Sequence, residues 1–184
     1  IKEFRKIRTD SKQLFKELCF CILAANFNAE RCIKIQEEIN EGFLILTEEE
    51  LVEKLRELGH RYPNVRAKYV VEARKYANTL KEMINSFDDV RELREWLVKN
   101  IKGIGYKEAS HFLRNIGYTD VAIIDFHIID ILTEYGLIER PRTLTKRRYL
   151  EIEELLRGIA KSLGLSLAEL DLYLWYMKTG KVLK

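Results

Sequence analysis

Two residues carry the chemistry that this sequence could do. Lys107 lies in the run IKGIGYKEA, and Asp125 lies 18 residues further on, in VAIIDFHIIDIL. An unprotonated lysine amine is a nucleophile toward a sugar carbon, and a carboxylate among apolar residues can stabilise positive charge as it develops there. Each residue also has an ordinary reading. Taken alone, Lys107 is a solvated lysine. Asp125, after four apolar residues and before a helical pattern, is a capping aspartate at the end of a buried segment.

The glycines ahead of the lysine narrow the alternatives. LREWLVKN-IKGIGY-KEASHFLRNIG reads as helix, tight turn, helix. Gly103 and Gly105 can both take positive φ at no steric cost, and they leave the turn's amides open to an approaching group. The second helix starts just after Gly105, so its unpaired N–H groups form an anion site that suits a duplex phosphate. A Walker A loop is excluded by spacing and by the missing hydroxyl. A GxGxxG dinucleotide loop is excluded by the missing third glycine and the missing strand. A plain αα-hairpin turn without a ligand stays open. Lys107 falls in the first turn of the second helix, where the dipole disfavours a cation by up to about 1 kcal/mol and so favours the neutral amine.

These residues need helices to hold them, and the chain supplies little else. Only two prolines and nine glycines punctuate it. Residues 10–25 form a dense apolar helix that belongs in a core. TEEELVEKLRELG carries a capping box, Thr47 with Glu50, and ends at Gly59; Ser166 with Glu169 forms a second box. Residues 64–85 read as one long amphipathic helix with Val70, Ala73, Ala77 and Leu80 on one face. Further helices are predicted over 88–99, 106–116, 125–135 and the two stretches flanking Ser166. ILT and VAIID are apolar but short, so strand signals are weak. The fold class is all-α, with about eight or nine helices, and GLIERPRTLT is a candidate hinge.

Composition sets the outer limits. The 184 residues are 47% hydrophobic and 33% charged, as in a globular protein, with a net charge of +3 that permits a polyanionic partner without requiring one. No apolar run reaches the length of a membrane span, and no signal peptide is visible. Cys19, Cys21 and Cys32 form no CxxC pair; on apolar helices they read as small buried hydrophobes, which suits a reducing compartment. RPRTLTKRR carries five basic residues and no acid, and reads equally as a solvated loop or a phosphate-contacting edge. Aromatics in the last helix (Tyr173, Trp175 and Tyr176) are read as core, with a stacking surface for a base, led by Trp175, as the sharper alternative. His127 packs or hydrogen-bonds locally, or supports Asp125. His60 and His111 have no partner pattern.

At IKGIGYKEA and Asp125 the sequence resembles the helix-hairpin-helix DNA glycosylase superfamily, over essentially the whole chain. Having both a lysine and an aspartate is similar to the bifunctional branch, which excises a base and then cuts the strand. With no cysteine after Cys32, the chain lacks the clustered cysteines of the iron–sulfur branch. LAANFNAER, LGHRYPNVRAKYV and the ending LDLYLWYMKTGKVLK look more like 8-oxoguanine glycosylases, and in particular their compact archaeal and bacterial form.

The resemblance implies a two-lobed helical fold with the active site in the cleft, lobes of about 25–125 and 1–24 plus 126–184, and the hairpin at 93–117. It implies Lys107 as Schiff-base nucleophile and Asp125 as catalytic carboxylate. It places Gly103, Gly105, Asn26, Arg31, Arg61, Tyr62 and His127 against DNA, Asn26 and Arg31 at the unpaired cytosine and Tyr62 as the wedge. Lys184 and Trp175 would meet the damaged base. A monovalent cation, K+ or Na+, would sit on the carbonyls of Lys99, Ile101 and Ile104; no other cofactor and no iron–sulfur cluster is implied. The implied partner is duplex DNA containing 8-oxoguanine, bound by a monomer in the cytoplasm of a prokaryotic cell. A non-catalytic hairpin module, or a glycosylase for another oxidised base, is the alternative.

Overall fold

Ser11–Ala24 (α1) has no polar face. Every residue from Leu14 to Ala24 is buried, which makes it the central helix around which others pack. Even its charges are matched. Lys16 Nζ donates to Asn40 Oδ1 at 2.8 Å and Glu41 Oε1 at 3.0 Å, and Glu17 Oε1 accepts from Asn115 Nδ2 at 2.6 Å. Buried charges persist only when partnered in this way.

The computed structural model describes residues 10–181. Among these are eleven α-helices and no strand. After α1 come Ala29–Ile39 (α2), Gly42–Ile45 (α3), Glu48–Glu57 (α4) and Pro63–Ala73 (α5). Leu80–Asn85 (α6), Val90–Asn100 (α7) and Tyr106–Asn115 (α8) follow, then Phe126–Glu134 (α9), Lys146–Ser162 (α10) and Leu167–Thr179 (α11). Both predicted capping boxes form, at Thr47–Glu50 and Ser166–Glu169. The long helix expected over 64–85 is interrupted: a 3-10 turn at Arg74–Tyr76 separates α5 from α6. Arg74 turns out of the helix there, its Nε donating to Phe43 O at 2.8 Å.

Two apolar clusters divide the chain. One joins α1 through α8 up to Val121; the other joins Ala122, Ile124, α9, α10 and α11. The expected grouping of 1–24 with the C-terminal helices is therefore corrected for α1, whose buried face packs on α2, α5, α6 and α8. The reason is its all-round hydrophobicity, which needs helices on every side. Polar pairs cross between the clusters instead. Arg94 of α7 makes a bidentate pair with Glu153 of α10 at 2.5 and 2.8 Å, and Arg114 of α8 bonds Asp171 of α11 at 3.1 Å.

The expected hinge is tied down. Arg140 pairs with Asp130, Arg147 and Arg148 with Glu151, and Lys146 with Glu95. Four of the five basic side chains in RPRTLTKRR thus have acidic partners within the protein, which favours its reading as a packed surface loop over a phosphate-contacting edge.

Candidate active site

Lys107 is delivered by a hairpin. α7 ends at Asn100, the chain turns through residues 101–105, and α8 begins at Tyr106. Gly103 takes φ +83°, and a Cβ there would meet Tyr69 Cδ2 at 2.6 Å and Arg66 Nη1 at 3.1 Å. Glycine is required at this position twice over, by conformation and by space. Gly105 differs from the sequence expectation. Its φ of −97° and ψ of −170° are extended backbone that any residue can adopt. Its missing Cβ instead leaves room for Glu108, whose Oε2 would lie 3.1 Å from that atom. Glu108 Oε2 accepts from the Gly105 N–H at 3.1 Å, and its Oε1 lies 3.1 Å from Lys107 Nζ.

Asp125 is delivered by a buried extended segment with no sheet around it. Buried backbone groups need partners, and side chains supply them here. Ala122 N donates to Glu153 Oε1 at 3.3 Å, Ala122 O accepts from Tyr149 Oη at 2.7 Å, and Ile123 N donates to Asp171 Oδ1 at 3.0 Å. Ile124 N reaches Tyr149 Oη at 3.3 Å. VAIID therefore behaves as a strand whose neighbours are α10 and α11. Asp125 is the N-cap of α9, its Oδ1 accepting from Ile128 N at 3.0 Å. Burial pushes its carboxyl above the usual range, opposed by the Ile128 N–H and by the charges of His127 and Lys107.

The two residues meet in space. A cavity of about 700 Å³ is lined by both, with Glu108, His111, Arg114 and Trp175 among the other walls. A second cavity of about 520 Å³ shares Asn26, Lys107, Glu108, Asp125 and Phe126 with the first and adds Arg66, Tyr69 and Gly103. Lys107 and Asp125 thus lie where the larger chamber, walled by both polar and apolar side chains, adjoins the cavity beside the hairpin. At the floor of the larger cavity, burial raises the Asp171 carboxyl to about 6 despite its bond to Arg114.

The other predicted residues divide. Asn26 takes φ +57°, in the left-handed region, and lines both cavities. Such a conformation is costly for a non-glycine residue and concentrates at functional sites. Arg61 lines the large cavity with its guanidinium 5.2 Å from the Tyr62 ring, and Tyr62 is exposed at the rim. Arg31 does not line either cavity. Its Nη2 donates to Gly59 O at 2.9 Å and its guanidinium stacks on Phe27 at 5.2 Å. His127 lies against Phe126 at 3.9 Å and edge-on to Trp175 at 4.9 Å, making an aromatic rim. The Trp175 Nε1 is buried with no partner among the described residues. Lys99 lies in the last turn of α7, and Ile101 and Ile104 are buried in the turn that follows. Ile101 O accepts from Ile104 N at 3.4 Å. Lys184 lies outside the described residues.

Two further groups shape the site. His60 is buried, with Nδ1 accepting from Tyr62 N at 3.0 Å and Nε2 3.0 Å from Leu23 O, so the imidazole is neutral and pins the loop that carries Arg61 and Tyr62. Burial holds its ring below the ordinary histidine range. No local spacing announces this role. Glu108 was legible: the box from Gly105 to Glu108 has N-cap-to-N3 spacing within the quoted run. The three cysteines are fully buried, and burial pushes the Cys32 thiol up to about 12.

The likeness to known proteins agrees with this geometry. A family model described as 8-oxoguanine DNA glycosylase matches residues 1–165. The 8-oxoguanine DNA glycosylase/AP lyase of Korarchaeum cryptofilum is 57% identical over 185 residues, covering 100% of this chain and 88% of that protein. The enzyme of the same name from Methanocaldococcus jannaschii is 58% identical, over 100% of this chain and 89% of that one. The crystal structure of the Methanocaldococcus jannaschii 8-oxoguanine glycosylase/lyase with a 15mer DNA containing 8-oxoguanine superposes with a TM-score of 0.96 at 57% identity, covering 100% and 89% of the two chains. That of the Thermotoga maritima 8-oxoguanine DNA glycosylase gives 0.92 at 49% identity, covering 100% and 88%. An all-helical fold, a lysine–aspartate cleft at the end of a helical hairpin, and relatives this similar over the whole chain lead to one assignment: the chain belongs to the 8-oxoguanine DNA glycosylase family.

Proposed function

We propose that this chain excises 8-oxoguanine from duplex DNA and then nicks the strand. The observation that carries this reading is the convergence of Lys107 and Asp125 on one cavity of about 700 Å³ with an aromatic rim. A base inside a duplex must be flipped out before its glycosidic bond can be reached, and a chamber of this size accepts it. Tyr62, exposed beside Arg61, fills the gap in the stack, and Asn26 faces the base left without its partner. The hairpin around Gly103 holds backbone phosphate.

Within the chamber, Asp125 stabilises the sugar as it becomes oxocarbenium-like and the base departs with the bonding electrons. Lys107 Nζ attacks C1′, the C1′–O4′ bond then breaks with a proton passing from the nitrogen to O4′, and the ring-opened imine forms through which the strand is later cut. Lysine and carboxylate suffice for both steps, so the reaction calls for no metal or organic cofactor. A K+ or Na+ ion on the hairpin carbonyls would be structural. No helix among the described residues is long and apolar enough to cross a membrane. Action on chromosomal DNA places the protein at the nucleoid, in the cytoplasm.

Borohydride trapping tests the reading. Wild-type protein mixed with 8-oxoguanine duplex and borohydride gives a covalent protein–DNA adduct, and Lys107→Gln gives none while still binding the duplex. An adduct that survives Lys107→Gln would overturn the assignment of the nucleophile.

A further inference from the structure

Glu108 has a local role, closing the capping box onto Gly105, that accounts for one of its two oxygens. The other oxygen, Oε1, is 3.1 Å from Lys107 Nζ, inside both cavities. The side chain is only 12% exposed, and Oε2 is fixed by the Gly105 N–H at 3.1 Å, so the carboxylate is oriented by backbone rather than by solvent. The same arrangement explains why residue 105 is glycine although its backbone is extended: a Cβ would lie 3.1 Å from Oε2 and displace the group.

We propose that Glu108 is a catalytic base of the strand-cutting step. This deepens the function proposed above and rests on it. Once Nζ is bonded to C1′, the neighbouring C2′ lies one bond beyond the reacting carbon. A carboxylate oxygen held about 3 Å from Nζ is then within reach of its hydrogen, as a general base must be. Glu108 takes the C2′ proton, and the C2′–H electrons form the C2′=C3′ double bond in conjugation with the imine. The C3′–O bond breaks, and the 3′ phosphate leaves with that electron pair. Water then hydrolyses the unsaturated imine and frees Lys107. Asp125 does not compete for this role. Its Oδ1 is engaged by Ile128 N, and its work is at the sugar's developing charge.

Glu108→Gln separates this role from a merely structural one, because an amide oxygen can still accept from Gly105 N but cannot take a proton. On DNA carrying a preformed abasic site, nicking by the variant falls about 10²-fold, in line with loss of a positioned base. The borohydride-trappable imine accumulates meanwhile, since its formation no longer drains into elimination. Nicking at the wild-type rate overturns the proposal. So does an equal fall in imine formation and nicking accompanied by a lower Tm, which would mark Glu108 as a cap alone. A wild-type protein that forms no adduct would instead overturn the lyase reading, and this proposal with it.

Discussion

Replacing Asp125 by asparagine separates its two jobs. As N-cap of α9 it accepts from Ile128 N at 3.0 Å, and asparagine caps about as well as aspartate. Fold stability is therefore retained. The linked protons decide the sign of any change. Burial raises the folded carboxyl above its unfolded value, so its contribution to stability is full below the unfolded value and is lost as pH rises through the folded one. At neutral pH the ionised aspartate is thus a cost that the amide does not bear, and Asp125→Asn should melt at or above the wild-type temperature at pH 7. Asp125→Ala loses the cap, at about 1 kcal/mol, which lowers Tm by roughly 2–4 °C in a chain of this size. Catalysis moves the other way. Removing one preorganised charge from a developing cation costs about 10²–10³ in rate, or roughly 3–4 kcal/mol of barrier. Single-turnover release of 8-oxoguanine, read beside thermal unfolding at pH 7, measures both. If Asp125→Asn melted as low as Asp125→Ala, or released the base at the wild-type rate, the site reading would fail.

The hairpin glycines make a contrasting pair: Gly103→Ala, forced into φ +83° against Tyr69, should lose about 1–2 kcal/mol and with it affinity for duplex DNA, whereas Gly105→Ala, in extended backbone, should fold nearly normally. Thermal unfolding and a duplex titration distinguish them; equal losses at both would contradict the geometry. Asp171 should make stability depend on pH, because its carboxyl is raised from 3.8 to about 6 by burial. Its contribution is full below about pH 3.8 and lost by about pH 6, a fall of about 3 kcal/mol relative to Asp171→Asn. Urea unfolding of both proteins at pH 4 and pH 7 reads this difference, and parallel values at the two pH points would refute it.

What could be read from the sequence was local. Capping boxes, the cap at Asp125, the helical hairpin and the burial of the cysteines depend on residues within a turn or two of one another, where spacing fixes geometry. Gly105 shows the limit of even local reasoning. Glycine there implied a positive φ, but the structure assigns its smallness to a neighbour's carboxylate rather than to its own backbone. Contacts between distant residues left no trace in the spacing. Arg94 and Glu153 are 59 positions apart, Arg114 and Asp171 are 57 apart, and Glu17 and Asn115 are 98 apart. For the same reason α1 was assigned to the wrong group of helices: its composition announced burial but not its neighbours. Helix propensity could not foresee the break at Arg74, which follows from a guanidinium reaching a carbonyl 31 residues earlier.

These distant pairs make the site precise. A five-residue extended segment between two helices would ordinarily be a flexible connector, and the Asp125 carboxylate at its end would wander with it. Here the backbone of Ala122 is gripped by Glu153 and Tyr149, that of Ile123 by Asp171 and that of Ile124 by Tyr149. Two of those three carboxylate and phenol groups are themselves fixed by α8, the helix that carries Lys107: Tyr149 Oη, whose proton goes to Ala122 O, accepts from Ser110 Oγ at 3.0 Å, and Asp171 accepts from Arg114. Asp125 is consequently registered against the lysine's own helix by polar bonds that do not involve either residue. A buried pair of this kind adds little to net stability, but removing one partner costs about 3–5 kcal/mol. Their worth to the protein lies in geometry, because they fix where Asp125 stands relative to the helix that carries Lys107 on the cavity both residues line.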